Sequence, residues 1–371
     1  MTDSPRKLIV PKNVTDALRT VKYPGSDEDI VTLEMPQEIR IAGQRVSFSL
    51  VFQKSDDPNI ESLVLGCEEA IKKYIGEEVE IEDNIAVKFI HDMQRPVLPN
   101  VKNIVAIASG KGGVGKSTVA VNLAVALANT GKKVGLLDAD IFGPSIPKMF
   151  GAEGDRPAGI KIGDREMINP LEKFGVKFLS VGFFVDLGSA IIWRGPMASN
   201  ALKQLISEGN WGELDYLLID LPPGTSDIHL TLVQSVPVTG AVIVTTPQDV
   251  ALADVIRGTS MFQSKSIDVP VLGLVENMAW FTPAELPKNK YYIFGKDGGK
   301  NLADKLGIPF LGQIPIVQSI REGGDNGNPV AVDGESITGA AFAEVAKNVM
   351  HRVHIRNIQL APTKKVKISR K

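Results

Sequence analysis

The stretch Ile104–Val134, IVAIASGKGGVGKSTVAVNLAVALANTGKKV, decides the fold. It opens on an apolar run, Ile104–Ala108, crosses a glycine-rich turn, and continues as good helix formers from Lys116 to Asn129, stopping at Gly131. Gly110, four residues, then Gly115-Lys116-Ser117 is the phosphate-loop spacing, and it stands between strand and helix as that loop requires. Glycines are needed because several backbone N–H groups must turn toward one anion, and side chains would block both the turn and the approach. The residues Gly110, Lys111, Gly112, Gly113, Val114, Gly115, Lys116, Ser117 and Thr118 are therefore the expected ATP cradle. Lys116 supplies charge to the β- and γ-phosphates, the Ser117 hydroxyl is an expected Mg2+ ligand, and the helix N-terminus adds its dipole.

Outward from that loop the texture is short apolar runs alternating with helices. Strands are expected at Val134–Leu137, Lys177–Val181, Tyr216–Ile219, Ala241–Thr245, Val271–Val275 and Phe310–Gln313. Helices are expected at Ser199–Ser207, Ala251–Phe262 and Leu302–Leu306. Runs rich in Val, Ile and Leu with little alternation suit strands buried on both faces. The expected fold class is α/β: a P-loop NTPase with a mostly parallel sheet and helices on both faces, plus a small N-terminal α+β domain.

The smaller unit is read in residues 1–92, with a helix at Val14–Val21, a hairpin around Gly43-Gln44 and a helix from Pro58 through Ile75. Residues 93–102 read as a linker, 103–356 as the ATPase domain and 357–371 as a basic flexible tail. A last helix, Ala340–Val353, carries Phe342, Val345, Val349 and Val353 at helical spacing. That stripe suits docking on the core, the other reading being an amphipathic membrane anchor.

Two strand ends add acids. Asp220 closes Tyr216–Ile219 and is the expected second holder of the magnesium. Asp138 and Asp140 follow Val134–Leu137, at the strand end where open α/β sheets bind ligands. Asp138 suits magnesium coordination through water and Asp140 the positioning of the attacking water, an Asx turn before Gly143-Pro144 being the structural alternative.

Composition narrows the class. The 371 residues are 43% hydrophobic and 23% charged, with a formal charge of −2, so a phosphate-neutralising nucleic-acid binder is not expected. The N-terminus has no apolar signal region and no run is long enough to span a bilayer, which reads as a cytoplasmic protein. The one cysteine, Cys67, lies on an apolar helical stripe and reads as a small buried hydrophobe.

The loop SGKGGVGKST, with its second lysine Lys111, resembles the deviant Walker A of the MinD/ParA and nitrogenase-iron-protein class. In that class the extra lysine reaches the partner's phosphates across a nucleotide-sandwiched homodimer, so the resemblance implies catalytic Lys111, Lys116 and Asp140. LLDADIFGPSIPKMFG, IIWRGPM, YLLIDLPPGTSD, GAVIVTTPQDVALADVIRG and VENMAWF resemble the Mrp/ApbC subfamily of iron–sulfur cluster carrier or scaffold ATPases. The resemblance implies apoprotein clients or iron–sulfur assembly factors as partners and an adenine contact for Asn277, a turn-forming asparagine being the alternative. Many members carry a CxxC after the E-N-M motif. Here that region reads ENMAWFTPAELPKNKYYIFGKDGG, without cysteine. A homodimer would own two cysteines, whereas an all-thiolate cluster takes four. The alternative function is a ParA/MinD-like positioning or scaffold ATPase without a cluster.

Overall fold

The computed structural model describes residues 9–26, 28–52, 57–81, 84–89, 97–141, 143–163, 165–184, 195–283, 285–286, 288–363 and 365. Residues 191–194 of IIWRGPM and 366–371 of the tail lie outside them. The chain divides into two compact units, Met1–Pro96 and Val97–Lys371.

In the first unit, α1 (Pro11–Leu18) precedes a hairpin of β1 (Pro36–Ala42) and β2 (Arg45–Phe52), then α2 (Ile60–Ile75) and β3 (Ile85–Phe89). The order is β1-β2-β3, with β1 antiparallel and β3 parallel to β2. Alternate residues Val46, Phe48, Leu50 and Phe52 point into one core against Leu63, Cys67 and Ile71 of α2. The first helix starts and stops three residues earlier than Val14–Val21, because Pro11 sits at its first turn with φ already set. Cys67 is fully buried, and desolvation pushes its thiol up to about 12, with Glu68 adding to it. It packs; it does not react.

The second unit is built on eight described strands: β4 (Val101–Ala108), β5 (Val134–Asp138), β8 (Leu171–Lys173), β9 (Val176–Ser180), β10 (Leu214–Asp220), β11 (Gly240–Thr245), β12 (Val271–Glu276) and β13 (Phe310–Gln313). Their order is β13-β12-β11-β4-β10-β5-β9-β8, parallel except for the edge strand β8. The expected linker ends short of residue 102, because Val101 already pairs with Leu214 in the β4–β10 ladder. An exposed hairpin, β6 (Ala158–Ile162) and β7 (Arg165–Asn169), stands apart from this sheet and was not expected.

Period two sorts the strands between layers. Val105, Ile107, Leu136 and Leu218 face one layer, while Ile104, Ala106, Leu137, Leu217 and Ile219 face the other. The first layer holds α3 (Lys116–Asn129), which is buried continuously from Val119 to Leu127. Such burial all round tolerates no polar face, and Asn122 is there only because it is satisfied: it donates to the Thr118 carbonyl (2.9 Å) and accepts from the Ala331 amide (3.0 Å). A short helix, α4 (Ile146–Met149), follows β5. The other layer holds α5 (Gly195–Glu208), α6 (Asp227–Ser235), α7 (Asp249–Phe262) and α8 (Gly298–Leu306). A further helix, α9 (Gln318–Asp325), has no buried residue.

The last helix, α10 (Ile337–Gln359), is capped by Ser336, whose hydroxyl accepts from Gly339 (3.0 Å). It runs past the expected Val353, so the first residues of the expected tail are helical. Arg356 then ties the chain beyond it, donating to the Ala361 carbonyl (2.8 Å) and the Thr363 hydroxyl. Phe342, Val345, Val349 and Val353 are all buried in the α3 layer, so this stripe docks on the core rather than facing a bilayer. No described helix is long and apolar enough to cross a membrane. Phe342→Ala should lower the unfolding free energy of this unit by about 3–5 kcal/mol. A fall in urea midpoint at unchanged slope is the expected record.

Candidate nucleotide-binding site

The loop Ser109–Gly115 leaves β4 at the C-terminal edge of the sheet and enters α3 at Lys116. Gly113 and Gly115 hold φ of +81° and +79°, the left-handed region that L side chains rarely adopt. No atom beyond its chain neighbours lies within 4 Å of where a Gly113 side chain would begin, so it is the left-handed backbone and not crowding that requires glycine there. Gly110 is glycine for another reason: a Cβ there would collide with the backbone of Asp254 in α7. Ser109 donates to the Lys111 carbonyl (3.0 Å), and the Ser109 carbonyl accepts from Gly224 (2.9 Å), which ties the loop after β10 to this one. Val114 is buried, Thr118 is half-buried in the first turn of α3, and Lys111 and Gly112 are exposed.

Sheet register assembles the acids. Asp138, Ser180 and Asp220 are cross-strand partners at the ends of β5, β9 and β10. Lys116 Nζ donates to Asp220 Oδ1 (2.7 Å) and lies 3.6 Å from Asp140 Oδ2; Ser117 Oγ donates to Asp220 Oδ2 (2.6 Å). Asp138 and Asp220 are fully buried and Lys116 nearly so. Asp138 Oδ1 accepts from the Asp140 amide (3.1 Å), and its Oδ2 accepts from Ser180 Oγ (2.9 Å) and the Ile146 amide (3.4 Å). Asp138 thus also fixes the turn that carries Asp140.

Burial, and next the charge of Asp220, push the Asp138 carboxyl up to about 7, against the bonds from Ser180 and the Asp140 amide and the nearby Lys116 ammonium. Burial also raises Asp220, opposed by Lys116 and Ser117. One buried ammonium among carboxylates is a site short of positive charge. Mg2+ would be held there by Ser117 with Asp220 and Asp138 behind it, and the donor set, hydroxyl and carboxylate oxygens, suits a hard cation.

Asn277 follows β12 and is buried beside the loop, its Nδ2 donating to the Val114 carbonyl (2.8 Å). Its neighbour Glu276, also buried, accepts from the Gly299 amide and from Gln313 Nε2 (2.7 Å), pinning the start of α8 to the end of β12. Sequence reasoning missed Ser180 and Glu276, whose only signal was a polar residue at the end of an apolar strand. It passed over the part played by His229. At the third position of α6, His229 Nδ1 accepts from the Ser226 amide (3.2 Å), an imidazole doing the work a Glu or Gln does in a capping box. The ring is buried, Nε2 makes no hydrogen bond within the described residues, and desolvation lowers the group to about 4, helped by Lys116.

A glycine cradle at the end of a central parallel strand, a buried lysine and a hydroxyl converging on a strand-end carboxylate define a P-loop nucleoside triphosphatase. Comparison with known proteins agrees. Residues 100–350 match the model of the NUBPL iron-transfer P-loop NTPase family, and 11–82 match an iron–sulfur cluster assembly protein domain. The chain is 46% identical over 345 residues to the iron–sulfur cluster carrier protein of Synechocystis sp., covering 92% of this chain and 97% of the relative. It is 48% identical over 262 residues to the iron–sulfur cluster transfer protein NUBPL of Dictyostelium discoideum, covering 70% and 79%. Among solved structures, a nucleotide-binding protein in complex with ADP from Archaeoglobus fulgidus aligns with a TM-score of 0.56 and 38% identity, over 66% of this chain and 94% of that one. The chain belongs to the iron-transfer P-loop NTPase family and is an ATPase.

Because the folded-state value of His229 is depressed, its contribution to stability is complete above about 6.5 and is lost as pH falls toward about 4. Over that interval the wild type should lose about 3 kcal/mol relative to His229→Gln. Urea midpoints of both proteins at several pH values check this, and parallel curves would count against a buried neutral imidazole.

Proposed function

We propose that the chain is an ATP-driven homodimeric switch that assembles iron–sulfur clusters on apoproteins, the cluster being cargo held chiefly by partner ligands. The observation that carries the switch is the convergence of Lys116 and Ser117 on Asp220 beside the glycine cradle. Both donors are engaged with a carboxylate that cannot follow them, since Asp220 is built into β10. With nucleotide bound, Lys116 would pair with the β- and γ-phosphates in place of Asp220, and the Ser117 hydroxyl would be a ligand for Mg2+. Bound Mg2+ supplies charge neutralisation between those phosphates. Asp140, 3.6 Å from Lys116 and held through Asp138, orients the attacking water. Lys111 is exposed on the cradle, free to serve the other subunit's phosphates, as an arginine finger does. Asn277 contacts the adenine from its place against Val114.

The cargo reading rests on the relatives' names and on the domain matched at 11–82. The donor set limits how it works. The chain has one cysteine, buried with its thiol at about 12, and among the described residues no group of three His, Cys, Asp or Glu is placed to hold a metal. Two such thiols per dimer do not make an all-thiolate cluster site.

Lys116→Ala should abolish ATP binding, measured with a fluorescent nucleotide. Asp140→Ala should keep binding while turnover falls by at least about 100-fold. Unchanged turnover there would falsify its role. Lys111→Ala should bind ATP as a monomer and fail to form the ATP dimer, read by light scattering with ATP against ADP. Anaerobic reconstitution of the isolated chain with iron and sulfide should leave no stoichiometric iron; a stable cluster on the chain alone would restore the direct-carrier mechanism.

A further inference from the structure

A groove of about 520 Å3 runs between α7 and α8, floored by Leu252, Ile256, Phe294 and Leu302 and edged by Lys296 and Lys305. Next to it the loop after β12 folds back on itself through the Phe281–Tyr291 bridge and leaves Leu286, Tyr291, Tyr292 and Ile293 exposed. Two cations are held over aromatic faces: Lys290 Nζ lies 3.9 Å from the Trp280 ring centroid and Lys296 Nζ 5.2 Å from that of Tyr292. Between residues 285 and 305 there are five lysines, at 288, 290, 296, 300 and 305, against three acids. All five are exposed, and none joins an ion pair among the described residues. Of the acids, Asp297 already accepts from Gln313 (3.0 Å). Asp249, also in the lining, is the one acid facing the groove there.

The α7 wall of this groove reaches the phosphate loop directly, and the α8 wall is linked to it through the end of β12. On one side, the α7 backbone at Asp254 packs so closely on Gly110 that no Cβ fits between them. On the other, Asn277 bonds the Val114 carbonyl and the Met278 methyl lies over Gly115, while Glu276 pins the first turn of α8. A shift of the phosphate loop around a nucleotide would act on α7 directly and on α8 through β12 and Glu276.

We propose that this groove docks an acidic segment of a partner protein, anchored by an apolar side chain, and that the nucleotide on the phosphate loop sets its affinity. Charge chooses the occupant. A second copy packed face to face would bring the same lysines, and this chain's own terminal KKVKISRK is basic, so neither complements the groove in charge. The concave lining suits a segment better than a flat anionic membrane. The inference deepens the function above, because a partner bound here is the one to supply the thiolates this chain lacks.

The test uses the full chain and a fluorescein-labelled peptide with a Leu-Phe core flanked by glutamates, read by anisotropy with ATP and with ADP. The expected result is binding about tenfold tighter than to the same peptide with glutamines, falling as salt rises. Lys296→Glu/Lys305→Glu should lose about tenfold in affinity, Lys203→Glu on α5 should lose nothing, and ATP and ADP should differ by about fivefold or more. Absence of binding, equal affinity for the two peptides, or an unaffected double variant overturns the docking site; equal affinity with ATP and ADP overturns the coupling. Co-sedimentation with phosphatidylserine vesicles that is abolished in the double variant, without peptide binding, would assign the face to a membrane and also overturn it. Hydrolysis measured without peptide should be the same in wild type and double variant. Its absence from the wild type would remove the ATPase reading and leave the peptide result to be judged separately.

Discussion

The ammonium of Lys116 is almost wholly removed from water, and what makes that tolerable is the Asp220 carboxylate 2.7 Å away, with Asp140 beyond it. An unpaired cation in that position would cost several kcal/mol. The pair forms only if β10 lies next to β4, so that Asp220 ends level with the start of the phosphate loop. It survives only if β5 lies on the far side of β10, bringing the turn that carries Asp140. The order of the central strands and the charge balance of the site are one constraint.

That constraint also makes the site responsive. Asp138 and Asp220 are buried side by side; desolvation raises both, and the charge of Asp220 raises Asp138 further, a balance that a divalent cation would relieve. The loops around it are tied to each other rather than to solvent: Ser109 to Gly224, Val114 to Asn277, Gly110 against α7. The phosphate loop is thus in direct contact with the loop after β10, with α7 and with the loop after β12.

The cluster question turns on chemistry rather than geometry. The family resemblance pointed to a cysteine pair after Glu276-Asn277-Met278, and this chain places tyrosines, lysines and a cation–π pair there instead. Its one thiol is a core residue of the other unit, packed with Phe48, Leu50 and Ile71.

Sequence alone determined the phosphate loop, the strand–helix alternation, the acidic strand ends and the amphipathic last helix. Each is a local pattern, in which glycine freedom, the 3.6 and 2.0 periods and a turn residue act over a few positions. It missed the β6–β7 hairpin, whose exposed strands lack a buried face, and placed strand starts such as Val101 late, since ladder pairing with a residue as far along the chain as Leu214 leaves no local trace. Only the tertiary structure decided that Asp138, Ser180 and Asp220 share one row, that Asn277 reaches back to Val114, and that His229 caps a helix with a neutral imidazole. Those depend on which parallel strands become neighbours, and that choice is made by burying two apolar layers at once rather than by any residue beside them in the chain.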